Sequence, residues 1–233
     1  QGVPLKFVWA FDASAGADGI IVTKASGIKT IADLKGKEVA YHKGSASHFM
    51  LTTLLKKNGM KDSDVKAVEM KASEAASALM AGKVPAAVTW EPHITKAAAS
   101  GNIILATSKD TPGLIADVLV LHEDFVKNNP DAVQKIVAAM SEATDFILKN
   151  PAEAAKIMSK ELKEKPEETI EGNKTIKFYD LKDNLALFGT TEKPGTIYEV
   201  AKNAGEFYVG QKILDKVPDV SKVIDNTFIS KIK

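Results

Sequence analysis

The chain has 233 residues, 45% of them hydrophobic, which suffices for one large domain or for two lobes of roughly 100 residues each and argues against a disordered chain. Its 31 basic and 30 acidic side chains nearly cancel, and no long run of one sign occurs, so composition offers nothing to a nucleic acid or another polyanion. Cysteine is absent, which excludes disulfides, thiolate metal ligation and a cysteine nucleophile, and all 31 basic residues are lysine, so an anion must be held by ammonium groups, hydroxyls or backbone N–H rather than by a guanidinium fork.

The opening Gln1-Gly2-Val3-Pro4 has the character of neither an initiator methionine nor a signal peptide, so the natural N-terminus is expected upstream. No stretch approaches the roughly 20 apolar residues of a membrane span. Leu5 to Phe11 and Gly19 to Thr23 read as buried strands, separated by the loop from Asp12 to Asp18. After Gly36 the pattern becomes regular. A strand from Glu38 to Tyr41, a helix from about Ser47 to Lys57, a strand from Lys66 to Met70, a helix from Ser73 to Ala81 and a strand from Ala86 to Trp90 follow in turn. Such alternation predicts βαβ units and a parallel sheet. A helix over Ile94 to Ala99 then leads to strands at Ile103 to Thr107 and Asp117 to His122, on either side of the turn Asp110-Thr111-Pro112-Gly113. Beyond that the chain is helical. Pro130, Pro151 and Pro166 each suit a first helical turn, where no N–H is needed, and a last long helix is predicted over Tyr198 to Val209.

Four phrases carry a resemblance: Gly27-Ile28-Lys29-Thr30-Ile31-Ala32-Asp33-Leu34-Lys35-Gly36-Lys37, then Gly44-Ser45-Ala46-Ser47-His48-Phe49, then Ala81-Gly82-Lys83-Val84 through Trp90-Glu91-Pro92, then Asp110-Thr111-Pro112-Gly113-Leu114-Ile115. In that order they resemble the nitrate/sulfonate/taurine family of periplasmic solute-binding proteins, which also includes binders of thiamine-pyrimidine precursors. The resemblance implies an α/β fold of the periplasmic-binding-protein type II-like kind, two lobes joined by crossing strands. Residues 1–24 and 118–233 would form the first lobe and residues 25–117 the second. Members of that family begin with a βαβ region that this chain lacks, so the first lobe is expected to be incomplete.

Gly44-Ser45-Ala46-Ser47 lies between a strand and a helix start, where first-turn N–H groups are unpaired and the helix dipole is positive. Without arginine this is the best anion site in the chain, with Ser45 and Ser47 as direct contacts, although either serine also suits a helix cap. His48 follows and reads equally as a ligand donor or as a structural imidazole. Trp90 and Glu91 end a buried strand, the edge of a parallel sheet where ligands gather; the indole offers a flat face and the carboxylate an acceptor, or else the two pack and start a helix. Asp12, Ser14, Asp110, Thr111 and Asp117 are polar where a cleft or hinge is expected, and they are equally ordinary turn formers. The histidines His42, His48, His93 and His122 lack metal-site spacing, so no metal is expected, and no cofactor either.

The resemblance implies the solute-binding component of an ABC importer. It would be periplasmic or otherwise extracytoplasmic, with an upstream membrane anchor open as an option, and would capture a small organic solute by hinge closure before docking on a membrane permease. A sulfonate, a taurine-like zwitterion or an amine-bearing heterocycle would fit, the last two better suited to the carboxylates. Catalysis is not expected. One alternative is an enzyme like the thiamine-pyrimidine synthases, whose cysteine-rich motif is missing here; another is a sensor or effector-binding module of a receptor or regulator. An incomplete lobe would expose apolar surface, so this form is expected to associate as a swapped or otherwise non-native dimer; a monodisperse monomer of ordinary thermal stability by light scattering and melting would contradict that.

Overall fold

The computed structural model describes residues 3–190 and 192–232, leaving Gln1, Gly2, Thr191 and Lys233 outside. The chain divides into two units, Gln1–Ala13 with Ala116–Lys233, and Ser14–Ile115. It passes from one to the other at Ala13/Ser14 and at Ile115/Ala116. Residues 14–24, placed by sequence with the flanking lobe, fall in the Ser14–Ile115 unit. The strand they carry is built into its sheet.

Strand β1 (Leu5–Ser14) leads into the unit of residues 14–115, whose sheet comprises β2 (Asp18–Val22), β3 (Glu38–Tyr41), β4 (Lys66–Glu69), β5 (Ala86–Trp90) and β6 (Ile103–Thr107) in the order β4-β3-β5-β2-β6. Helices α1 (Ala46–Lys57), α2 (Ala72–Met80) and α3 (His93–Ala99) fill the connections. β3 runs parallel to both β4 and β5, as crossover helices require. β2, which lies before that alternating run, is antiparallel to β5 and to β6. The reason is topological: β2 is reached directly from β1, with no crossover helix to impose a parallel direction.

β2 is buried at every residue, and its alternation separates two cores. Ile20 and Val22 pack with Val39, Met50, Leu51 and Leu55 on the α1 side. Ile21 packs with Ala75, Ala76, Leu79, Ile94 and Ala97 on the side of α2 and α3. Gly19 is tightly enclosed, since a Cβ there would lie 3.0 Å from the Ala106 carbonyl oxygen and from Ile94 Cδ1 and one of these would have to give way. At the far ends of the strands the connections turn through left-handed glycines such as Gly59 (φ 71°) and Gly82 (φ 68°), with open space around each.

In the other unit β7 (Ala116–His122) pairs antiparallel with β1, and β8 (Ile176–Phe178) flanks β1 on its other side. Helices α4 (Glu123–Asn128), α5 (Pro130–Lys149), α6 (Pro151–Leu162), α7 (Pro166–Asn173), α8 (Leu181–Phe188) and α9 (Thr196–Gly210) make up the rest. α5, α6 and α7 begin on the three prolines expected to start helices. Val8, Trp9 and Ala10 pack against Val133, Val137, Phe188, Ile197 and Ile229.

Asn184 on α8 is fully buried and ties this unit together. Its Oδ1 accepts from the Ala10 N–H at 2.8 Å. Its Nδ2 donates to the carbonyls of Ala10, Tyr179 and Asp180 at 3.0, 3.2 and 3.0 Å. Asn184→Ala leaves the Ala10 amide and carbonyl buried without this partner and is expected to cost about 3 kcal/mol. Leu185→Ala, at an exposed neighbour, should stay within about 0.5 kcal/mol. Urea unfolding of the two variants, compared at equal m-value, checks this.

Candidate functional site

Strand directions decide which ends of the Ser14–Ile115 unit lie together. β3 and β5 are adjacent and parallel, so their carboxyl ends, leading to Ser45 and to Trp90, emerge on one edge of the sheet. β2 runs the other way, and its first residue, Asp18, pairs with Trp90. On the far side of β2, Gly19 pairs with Thr107, which brings the end of β6 and the following Ser108–Asp110 turn to the same edge. Eight of the ten positions singled out from sequence therefore sit along this edge: Ser14, Ser45, Ser47, His48, Trp90, Glu91, Asp110 and Thr111.

At the first station Ser45 is the N-cap of α1. Its hydroxyl donates to the His42 carbonyl at 2.6 Å and accepts from the His48 N–H at 3.4 Å. The amides of Ala46 and Ser47 lie in the first turn, where a helix supplies no acceptor. Ser47 is fully buried, with no hydrogen-bond partner for its hydroxyl. His48 is 2% exposed, and both of its ring nitrogens face protein. Nδ1 accepts from the Gly44 N–H at 3.1 Å, and Nε2 lies 3.5 Å from Asp62 Oδ2.

Trp90 is 39% exposed, one of the few large apolar side chains left open on this edge. Glu91 is committed to a cap: its carboxylate accepts from the Thr95 N–H at 3.1 Å and from the Thr95 hydroxyl at 2.9 Å. Its own N–H donates to the Ala17 carbonyl at 2.8 Å. Ser14 is buried in a network that sequence reasoning missed. Its Oγ lies 2.7 Å from Ser108 Oγ and accepts from the Asp18 N–H at 3.1 Å, while Ser108 Oγ also accepts from the Gly16 N–H at 2.7 Å. Ser108 and Gly16 follow a strand end and sit in a small-residue loop, signals too common to mark them. Asp110 closes its turn by accepting from the Thr107 N–H at 2.9 Å, and its carbonyl accepts from Lys57 Nζ at 2.8 Å. Thr111 is buried with its hydroxyl unpartnered. Away from this edge, a surface groove of about 580 Å³ along α2, lined by Met70, Ser73, Glu74, Ser77 and Lys83 among others, contains none of the residues read as candidates.

The remaining two positions, Asp12 and Asp117, belong to the other unit and face each other across the β1–β7 pair. Burial, and then the Asp117 carboxylate, push the Asp12 carboxyl up to about 6. Tyr179, whose N–H donates to the Phe11 carbonyl, is raised by burial, then by Asp183 and by Asp12. Unfolded, Asp12 titrates near 3.9. Between that value and about 6 the folded chain binds the extra proton, so stability is highest on the acid side and falls as pH rises through this window. Asp12→Asn should flatten that limb of the stability profile, measured as the urea midpoint from pH 4 to 7.

Over residues 1–154 the chain matches the family described as NMT1/THI5 like. A binding protein of Brucella abortus is 33% identical over 146 residues, covering 61% of this chain and 46% of its own length. A Bacillus subtilis protein named for binding aliphatic sulfonates is 28% identical over 233 residues, covering 99% of this chain and 67% of its own. Among solved structures, the periplasmic aliphatic sulphonate binding protein SsuA from Escherichia coli superposes with a TM-score of 0.77 at 22% identity, covering 97% of this chain and 70% of that one. That likeness establishes the fold as the mixed α/β periplasmic-binding-protein type. The chain spans about half the length of the curated relatives it matches first. By the extent of the family match, the chain belongs to the NMT1/THI5-like family.

Proposed function

We propose that this chain is the solute-capturing part of an ABC importer, working outside the cytoplasm and handing its cargo to a membrane permease. The observation that carries the reading is the single sheet edge of the Ser14–Ile115 unit. There the first-turn amides of α1, the hydroxyls of Ser45 and Ser47 and the open indole of Trp90 belong to neighbouring strand ends. The names of the Bacillus subtilis and Escherichia coli proteins support a sulfonate, and their similarity runs over nearly the whole chain. A sulfonate, a taurine-like zwitterion or an amine-bearing heterocycle is the proposed class of solute. The acid oxygens would take the first-turn amides and the Ser47 hydroxyl at α1, since the chain has no arginine to take them, while Ser45, whose proton goes to the His42 carbonyl, would act chiefly as the cap. The organic part would lie on Trp90. Asp110, Thr111 and Ser14 would line the same edge. Glu91, already capping α3, would act chiefly by holding the Trp90 turn.

The two units would serve as the lobes, and capture would proceed by hinge closure about the two chain crossings, beside which Asp12 and Asp117 stand. The solute then needs a higher affinity for the closed form, which is what a permease can recognise.

Calorimetric titration with taurine and with ethanesulfonate tests the reading. Trp90→Ala should weaken whichever binds by about 1 to 3 kcal/mol, through loss of the aromatic surface. Unchanged affinity would assign the indole to packing, and no binding of either compound would remove the sulfonate class.

A further inference from the structure

We propose that His48 is a positioning residue, whose buried imidazole holds the Gly44–Ser45 turn and so aims the first-turn amides of α1. The inference rests on the reading of that turn as a solute subsite.

The geometry is specific. His48 stands four residues after Gly44 and reaches back from the first turn of α1, so that Nδ1 accepts the Gly44 N–H at 3.1 Å. An accepting Nδ1 carries no proton, which places the ring hydrogen of the neutral imidazole on Nε2. Nε2 in turn faces Asp62 Oδ2 at 3.5 Å, and the other oxygen of Asp62 accepts from the Thr52 hydroxyl at 2.7 Å. Thr52 lies one turn further along α1. The Tyr41 ring, from β3, packs on the imidazole with centroids 4.7 Å apart and planes 31° from parallel. The Gly44 amide thus meets the imidazole directly, and the Asp62 carboxylate beyond it favours by its charge the tautomer that Gly44 needs.

Gly44 is the residue in this turn that needs holding. Its φ of 73° is open to glycine at little cost, and a glycine without a fixed N–H partner samples many other conformations. The neighbouring N–H, of Lys43, is held separately by the Glu69 carboxylate at 3.1 and 3.2 Å. Two consecutive amides before the cap are therefore turned inward to protein acceptors, while those of Ala46 and Ser47 keep none from the helix. The orphaned hydroxyl of Ser47, fully buried in the same turn, is a second polar group left without a partner there.

The charged and titratable groups around the imidazole are Asp62 from the turn before β4, Tyr41 on β3, and Glu69 at the end of β4 beyond it. Tyr41 is raised to about 12 by burial, then by Asp62 and Glu69, so it stays neutral throughout the working range.

Three variants test this. His48→Asn keeps an acceptor oxygen close to the Nδ1 position, His48→Gln moves the polar atoms one bond outward, and His48→Leu removes them. In the folded proteins, judged by circular dichroism, the Gly44 amide should be protected from hydrogen exchange in wild type and Asn, and lose protection in Gln and Leu. Ethanesulfonate affinity should fall about 5- to 10-fold in Gln and Leu, the value of one hydrogen bond, and recover in Asn. The imidazole nitrogen shifts of wild type should show an unprotonated Nδ1. Equal behaviour of Asn and Leu, or full affinity in Gln, overturns the proposal. If wild type binds no sulfonate, the solute reading fails alone, because the amide exchange and the nitrogen shifts still decide whether His48 holds the turn. Should Leu not fold, the comparison of Asn with Gln suffices.

Discussion

Strand β2 is hydrogen-bonded to β5 on one side and to β6 on the other, and none of its residues reaches solvent. Its direction decides what the candidate edge contains. Because it runs against its neighbours, the loop that enters it, from Ser14 to Asp18, meets the exits of β3, β5 and β6 rather than lying at the opposite end. A parallel strand in that slot would have separated Ser14 from Ser108 by the height of the sheet, and the buried hydroxyl pair at 2.7 Å would not exist. Burial of Ile20, Ile21 and Val22 in two cores provides the cohesion that makes this arrangement firm.

Caps account for much of the polar chemistry along this edge. Ser45, Glu91 and Asp110 read as contacts because polar side chains follow strand ends there, yet Ser45 and Glu91 are bonded to the helices they begin and Asp110 to the turn it closes. The groups left over are of another kind: first-turn amides, the buried hydroxyls of Ser47 and Thr111, and an open indole. On the proposed reading, such a composition would suit a small polar ligand with an apolar body.

Helix starts were the most legible part of the fold. Pro130, Pro151 and Pro166 mark them because a missing N–H is harmless only in the first turn. Strands β3, β5 and β6 were legible too, as short β-branched or alanine-rich runs closed by polar turns. The direction of β2 was not, because a continuous apolar run carries no sign of which neighbour it will meet. α8 and the role of Asn184 were equally hidden. A lone asparagine among charged and apolar residues reads as surface, and only the tertiary fold shows that four backbone groups converge on it. Eight of the ten candidate positions share one sheet edge, while which ring nitrogen of His48 meets Gly44 is visible only in the structure.

The polar strand ends crowd one edge of the sheet, and the opposite edge is closed by tight turns at Gly59 and Gly82, where a side chain added to either glycine would meet open space. Those turns are natural anchor points for a fluorophore or an immobilising tag. A label there would ride on the sheet at the edge opposite Ser45 and Trp90 and would leave the polar strand ends unobstructed.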